Sequence, residues 1–505
     1  MNAYSGIADM ISGGDPQAPA IGAPDRHILS RGELARLVAR TGAALRAIGI
    51  GQQSAVAIVM PNGPEMATAF LAVAASAVAA PLNAAYRADE FDFYLADLNA
   101  KALILPAGAD SPARDVAAKR SIPVIELAPD LAAPAGAFTL SIPFVEGAAP
   151  NPSPEDVALV LHTSGTTSRP KIVPLTHRNL ATSAGNIART LKLTPADRSL
   201  VIMPLFHIHG LVGALLSSLH AGGSVYCPAG FNALKFFAQL DESEATWYSA
   251  VPTMHQTILA RAKVNAEIIA RRRLRFIRSS SASLPPPVMK ELEEVFGCPV
   301  IESYGMTEAA HQMASNPLPP ASRKPGSVGI AAGPEVAIMA PDGKLLKAGE
   351  IGEIVIKGAN VTPGYANNPK ANEEGFRDGW FRTGDQGIMD AEGYVSLTGR
   401  LKEIINRGGE KISPREVDDV LMEHPAVAQI VTFALPHDKL GEEVAAAVVL
   451  NEGAQASERD LRDFAAKHLA DFKVPKKIVF LAEIPKGATG KLQRIGLAQK
   501  LGLVS

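Results

Sequence analysis

One stretch gathers more reactive side chains than any other: His162-Thr163-Ser164-Gly165-Thr166-Thr167-Ser168-Arg169-Pro170-Lys171. The apolar run Val157 to Leu161 precedes it and reads as a buried strand. Hydroxyls, a glycine and two cations then replace the apolar side chains, which suits a loop that holds an anion. Gly165 lets a backbone come close. The hydroxyls and backbone N–H groups can donate to phosphate oxygens, and Lys171 adds a point charge. The alternative is an ordinary Ser/Thr-rich surface loop. No Gly-Lys-Ser/Thr ending is present, so this is not a Walker loop.

The elements that must position this loop alternate. Ser30 to Ile48 has helical periodicity, and Ser54 to Met60 reads as a strand. The Ala-rich run from Pro64 to Ala80 reads as one buried helix, too short to span a bilayer. Lys101 to Leu105 and Pro123 to Leu127 read as strands, and the Pro/Ala-rich Ala128 to Asp156 as an irregular connection. Further strands are expected over Ser199 to Met203, Ser224 to Cys227, Thr246 to Val251, Leu274 to Arg278 and Val300 to Ser303. Polar residues follow several of them: His207 to Gly210, Ser279 to Ser283, and Tyr304 to Glu308. In open α/β sheets ligands gather beyond the carboxyl ends of strands, so these loops point to one site.

From Pro325 to about Gly399 the pattern turns to glycine-rich β, with strands at Val336 to Met339, Glu353 to Lys357 and Gly393 to Leu397. Asp342-Gly343 marks a hairpin turn. Beyond Arg400 a small α+β unit is expected. Ser413-Pro414-Arg415-Glu416 and Ser457-Glu458-Arg459-Asp460 read as helix starts, with strands near Ala428 to Leu435 and Val444 to Leu450.

Composition narrows the function. The 505 residues carry 49 basic and 51 acidic side chains, well mixed, with no basic stripe for nucleic acid. Cys227 and Cys298 lie far apart, fit no metal spacing and suit a reducing compartment. Met1 to Gly13 lacks the pattern of a signal peptide, so a cytoplasmic location is expected.

Several segments together resemble one family. They are Thr163 to Lys171, Pro204-Leu205-Phe206-His207, Tyr304-Gly305-Met306-Thr307-Glu308, Trp380-Phe381-Arg382-Thr383-Gly384-Asp385, Gly399-Arg400-Leu401-Lys402-Glu403, Arg407-Gly408-Gly409-Glu410 and Gly487-Ala488-Thr489-Gly490-Lys491. In this order they are similar to the adenylate-forming superfamily of acyl-CoA synthetases, luciferases and peptide-synthetase adenylation domains. The resemblance implies an α/β fold. A large N-terminal domain, residues 1–399, would combine helix-covered sheets with a small β-barrel-like subdomain (parts 1–156, 157–324 and 325–399). A small mobile α+β domain, residues 400–505, would follow. The implied reaction joins a carboxylate to the α-phosphorus of ATP, giving acyl-AMP and pyrophosphate, and then transfers the acyl group to a thiol, usually that of CoA.

The resemblance also implies roles. Thr163, Ser164, Gly165, Thr166, Thr167 and Lys171 would hold phosphates. Ile172 follows where relatives usually have glycine, and no loss of activity is expected from it. Glu308 would bind Mg²⁺, a hard cation that prefers oxygen, and Thr307 would donate to the α-phosphate. Ser281, Ala282, Glu302, Ser303, Tyr304 and Gly305 would lie along the nucleotide, with Tyr304 facing adenine. Asp385 would accept from the ribose hydroxyls, with Arg400 beside it. Lys491 would stabilise charge developing between carboxylate and α-phosphate. Lys402 would be the hinge, and Gly408, Gly409 and Glu410 would line the CoA path. Without the resemblance Lys402 reads as a plain surface lysine.

His207, His209 and His311 are unusual for a fatty-acyl pocket and suit a small acid with a second carboxylate. The alternative makes His207 an aromatic gate and His311 a structural histidine. Pro204 to Ser218, Ala245 to Thr253 and His311 to Pro317 resemble the oxalyl-CoA synthetase branch, which implies oxalate held by His207, Ser281 and His311. Other readings are a medium-chain or aryl acyl-CoA synthetase, an amino-acid adenylation domain, and a non-catalytic nucleotide-binding protein. Trp247 to Thr253 offers no acid for a substrate ammonium, and intact Lys491, Glu308, Asp385 and Arg400 argue against a mere binder.

Overall fold

A computed structural model describes residues 4–145, 151–163, 170–486 and 492–504. The protein is mixed α/β, with a large N-terminal and a small C-terminal domain. Among the described residues, one seven-stranded sheet runs in the order Phe138–Leu140, Val124–Pro129, Ala102–Pro106, Ala55–Ile58, Val78–Pro81, Val157–Thr163 and Lys171–Thr176. Its inner neighbours are parallel and its two edge pairs antiparallel. The inner strands are buried on both faces, so they are continuous apolar runs rather than alternating ones. Helices cover them. The helix Arg31–Ala47 starts at Ser30, whose side chain accepts from Glu33 N–H while the Glu33 carboxylate accepts from Ser30 N–H. Such a cap contributes about 1 kcal/mol.

A nine-stranded sheet has the parallel strands Arg198–Leu200, Ser224–Tyr226, Trp247–Ala250, Phe276–Ser279 and Val300–Met306 at its heart. The strand His311–Ser315 folds back antiparallel on Val300–Met306. Five antiparallel strands, centred on Trp380–Met389, form a third sheet. The fourth takes its strands from Ile405–Arg407 to Lys477–Phe480.

Several expectations are corrected. The run from Pro64 to Ala80 is not one helix: the helix ends at Ala74, and Val78–Pro81 is an inner strand of the seven-stranded sheet. An unbroken apolar run has no period, and pairing with Ala55–Ile58 and Val157–Thr163 decides for strand. The stretch after Leu127 is not wholly irregular, since Phe138–Leu140 adds an edge strand to Val124–Pro129. Tyr304 to Met306 belong to a strand, not to the loop after it. The motif from Trp380 to Asp385, given no element by the sequence, lies within a strand, Trp380–Met389. Ser413 precedes the helix Pro414–Met422, but no capping box forms. Its hydroxyl donates to Thr398 O instead, and Glu416 pairs with Lys473 at 2.6 Å. Ser457 does cap Glu458–Ala465 with Asp460, as its spacing predicts.

Candidate active site

Two neighbouring clusters form where the parallel strands of the nine-stranded sheet end. The first surrounds Asp385. This residue lies on the central strand of the third sheet, opposite Arg400 in register. Arg400 Nε donates to Asp385 Oδ1 at 2.8 Å, and the Tyr304 hydroxyl donates to Oδ2. Both oxygens keep lone pairs for further donors. The Asp385 charge raises the Arg400 guanidinium above its usual range. Burial, with that same charge, pushes the Tyr304 phenol well above its own. Tyr304 therefore stays a neutral donor.

Glu308 follows on the turn Thr307–Ala309 and is 5% exposed. Its Oε1 accepts from the Tyr365 hydroxyl at 2.8 Å, and its carbonyl accepts from Thr362 N–H at 2.7 Å. Lys171 Nζ lies 4.5 Å from the centre of the Tyr365 ring. Burial pushes the Glu308 carboxyl above the usual carboxylate range; the Tyr365 hydrogen bond and the charges of Arg400 and Lys171 oppose this. The Glu308 carboxylate is the kind of hard oxygen donor that fits Mg²⁺. Nothing in the sequence around Tyr365 marks it for this position.

The second cluster is polar and deeply buried. His209 opens the π-helix His209–Leu216, a form that often occurs at functional sites. Its Nδ1 lies 3.1 Å from Ser281 Oγ, and its Nε2 lies 2.6 Å from Ser249 Oγ. The His311 ring meets the His209 ring edge-on at 4.9 Å. Arg278 Nη1 lies 3.5 Å from Ser249 Oγ and 3.4 Å from His311 Nε2, and Nη2 donates to Gln312 Oε1 at 3.2 Å. The loop backbone is strained here: φ is 73° at Ser281, 47° at Ala310 and 100° at His311. The path brings the His311 carbonyl so close to Gly305 that a Cβ there would sit 2.0 Å from it.

Of the expected acid contacts, Ser281 and His311 meet in this cluster around His209. His207 is half-buried, and its Nδ1 accepts from His209 N–H at 3.2 Å. Sequence reasoning missed Ser249, Arg278 and Gln312. The available signal was an arginine directly after the apolar pair Phe276-Ile277 in a strand candidate. The Glu302 Oε1 accepts from Leu284 N–H at 3.0 Å. Ser303 is buried, and its hydroxyl donates to Ser279 O at 3.4 Å.

In the C-terminal domain Gly408 and Gly409 form the turn between Ile405–Arg407 and Glu410–Ile412, with φ of 59° and 100° that favour glycine. Lys402 is exposed in a turn. Arg494 ties that turn to the domain, pairing with Glu403 at 3.3 Å and Asp418 at 2.6 Å. Ser164 to Arg169, including Gly165, Thr166 and Thr167, lie outside the described residues, as do Gly487 to Lys491.

The family model for the AMP-binding enzyme matches residues 12–366, and that for the AMP-binding enzyme C-terminal domain matches residues 416–491. The chain belongs to the AMP-binding enzyme family. It is 46% identical to an oxalate–CoA ligase of Arabidopsis thaliana, over 98% of both chains. It is 45% identical to an oxalate–CoA ligase of Saccharomyces cerevisiae, over 89% of this chain and 87% of that one. Among solved structures, ATP-bound MatB from Rhodopseudomonas palustris matches with a TM-score of 0.88 at 32% identity, over 99% of both chains.

Proposed function

We propose that this protein is an AMP-forming acid–CoA ligase whose acid is oxalate. The observation that carries the acid is the buried cluster of Ser281, His209, His311 and Arg278 next to the Asp385–Tyr304–Arg400 cluster. Its hydrogen bonds would stay unpaired against an apolar acid. The two similar oxalate–CoA ligases support the same choice.

In the first half-reaction an oxalate oxygen attacks the α-phosphorus of ATP. The bond to pyrophosphate breaks, and the electron pair leaves on the pyrophosphate oxygen. Asp385 accepts from the ribose hydroxyls, and Tyr304 packs by the adenine. Thr163 and Lys171, with Ser164 to Thr167, hold the phosphates, while Thr307 donates to the α-phosphate. Glu308 would hold Mg²⁺, which neutralises phosphate charge when bound. Lys491 brings its ammonium from the C-terminal domain to the developing charge. In the second half-reaction a CoA thiol attacks the oxalyl carbonyl, and AMP leaves. Residues 400–505 would swivel about Lys402 so that Gly408, Gly409 and Glu410 line the thiol's path. Two free buried cysteines, Cys227 and Cys298, support a reducing, cytoplasmic setting.

Pyrophosphate release measured across a panel of acids tests this reading. Oxalate should give the highest kcat/KM; a higher value with octanoate or coumarate would overturn the choice of acid. Hydroxamate trapping tests the chemistry, because a protein that only binds nucleotide yields no trapped acyl group.

A further inference from the structure

Arg278 stands on the strand Phe276–Ser279 with 0% exposure. No carboxylate pairs with it among the described residues. Its guanidinium meets Ser249 Oγ, His311 Nε2 and Gln312 Oε1. A guanidinium has donors and no acceptor, so it fixes the sense of every hydrogen bond it makes. Burial lowers its pKa to about 9, which leaves it protonated at neutral pH.

The consequences run outward atom by atom. His311 Nε2 faces a donor and must present its lone pair, so the His311 proton sits on Nδ1. Ser249 Oγ accepts from Arg278, and its own hydrogen has the His209 Nε2 lone pair at 2.6 Å. His209 then carries its proton on Nδ1 and donates to Ser281 Oγ at 3.1 Å. Ser281, which is half-exposed, has its hydroxyl hydrogen left for the cleft.

We propose that Arg278 is a positioning residue that polarises the chain Arg278 to Ser249 to His209 to Ser281 and sets the His311 tautomer, so that the acid pocket offers donors and selects an acid with an anionic far end. This inference rests on the oxalate reading for the identity of that acid. Among the described residues the buried cation has no counter-ion, and the second carboxylate of the substrate supplies one across the two imidazoles. An acid with an apolar far end leaves the same donors facing carbon, which is costly in a buried site. Discrimination therefore comes from a residue three hydrogen bonds behind the Ser281 hydroxyl.

The test uses the full chain with ring-labelled histidine. Nitrogen-15 shifts of His209 and His311 in the wild type should show both rings as the Nδ1–H tautomer. Arg278→Met should move both rings toward a mixture or toward Nε2–H, and Arg278→Lys should restore the His311 tautomer. Ser249→Ala keeps the cation and cuts the chain, so it should alter His209 and leave His311 unchanged. In kinetics, Arg278→Met should raise the KM for oxalate about tenfold or more and leave the KM for ATP unchanged. The ratio of kcat/KM for oxalate over acetate should fall by a similar factor. An Nε2–H tautomer at either ring in the wild type would overturn the proposal. So would equal losses with oxalate and acetate in a folded Arg278 variant. If the wild type prefers another acid while both rings are Nδ1–H, the oxalate reading fails and the polarised chain stands.

Discussion

Gly213 lies against the ring of His311: a Cβ on it would stand 2.5 Å from both Cδ2 and Nε2. The π-helix that begins at His209 thus brings its fifth residue against the second histidine of the cluster. His311 cannot retreat easily, since its carbonyl already crowds Gly305. Alanine is the better helix former by up to about 1 kcal/mol, so Gly213→Ala need not unfold the protein. Instead the ring must move. The expected result is a rise in the KM for the acid of about tenfold to a hundredfold, as displacements near 1 Å produce. The KM for ATP and the melting temperature should change little. Steady-state kinetics with each substrate varied in turn checks this.

Tyr365 holds the Glu308 carboxyl, and that hydrogen bond works against burial. Tyr365→Phe keeps the ring beneath Lys171 and removes the hydroxyl. The Glu308 pKa should then rise further. Ionised Glu308 is the form that would serve the metal, so the acidic limb of the pH–rate profile should shift to higher pH. The concentration of Mg²⁺ needed for half-maximal rate should increase about tenfold, the scale of one lost hydrogen bond to a charged group. An unshifted acidic limb would remove Glu308 from this role.

Glu302 is 1% exposed, and its Oε2 has no hydrogen-bond partner among the described residues. Burial raises its pKa from 4.5 to about 7, with Arg415 opposing and Asp419 reinforcing the shift. Between those two values the native state binds more protons than the unfolded chain, so stability falls as pH rises. The loss from this group amounts to about 3 kcal/mol between pH 4.5 and 7. Glu302→Gln keeps an oxygen for Leu284 N–H and removes the titration. Its melting temperature should fall less than that of the wild type between pH 5 and pH 8. Parallel thermal melts across that range provide the comparison.

Lys491→Ala separates the two half-reactions. Pyrophosphate release should be abolished, while thioester formation from supplied acyl-adenylate should continue near the wild-type rate. An equal loss of both would show that the ammonium has no special place in the first step.

Much of the molecule was legible in the residues because it depends on short-range rules. Ser30 with Glu33 and Ser457 with Asp460 start helices by bonds that span three residues. Asp342-Gly343 turns the chain, with Gly343 at φ 95°. The ordered motifs resemble an adenylate-forming enzyme, and the family match over residues 12–366 agrees. Tertiary contacts settled the rest. Val78–Pro81 became a strand because two distant strands pair with it, and an apolar run carries no period to reveal that. Ser413 gave its hydroxyl to Thr398 because a carbonyl from another strand lay closer than its own helix. The buried polar cluster joins Ser249, Arg278 and His311 from three strands with His209 from a helix. No spacing along the chain encodes that meeting: burial removes water from all four side chains at once, and the donor-only guanidinium among them then dictates which way each hydrogen bond runs.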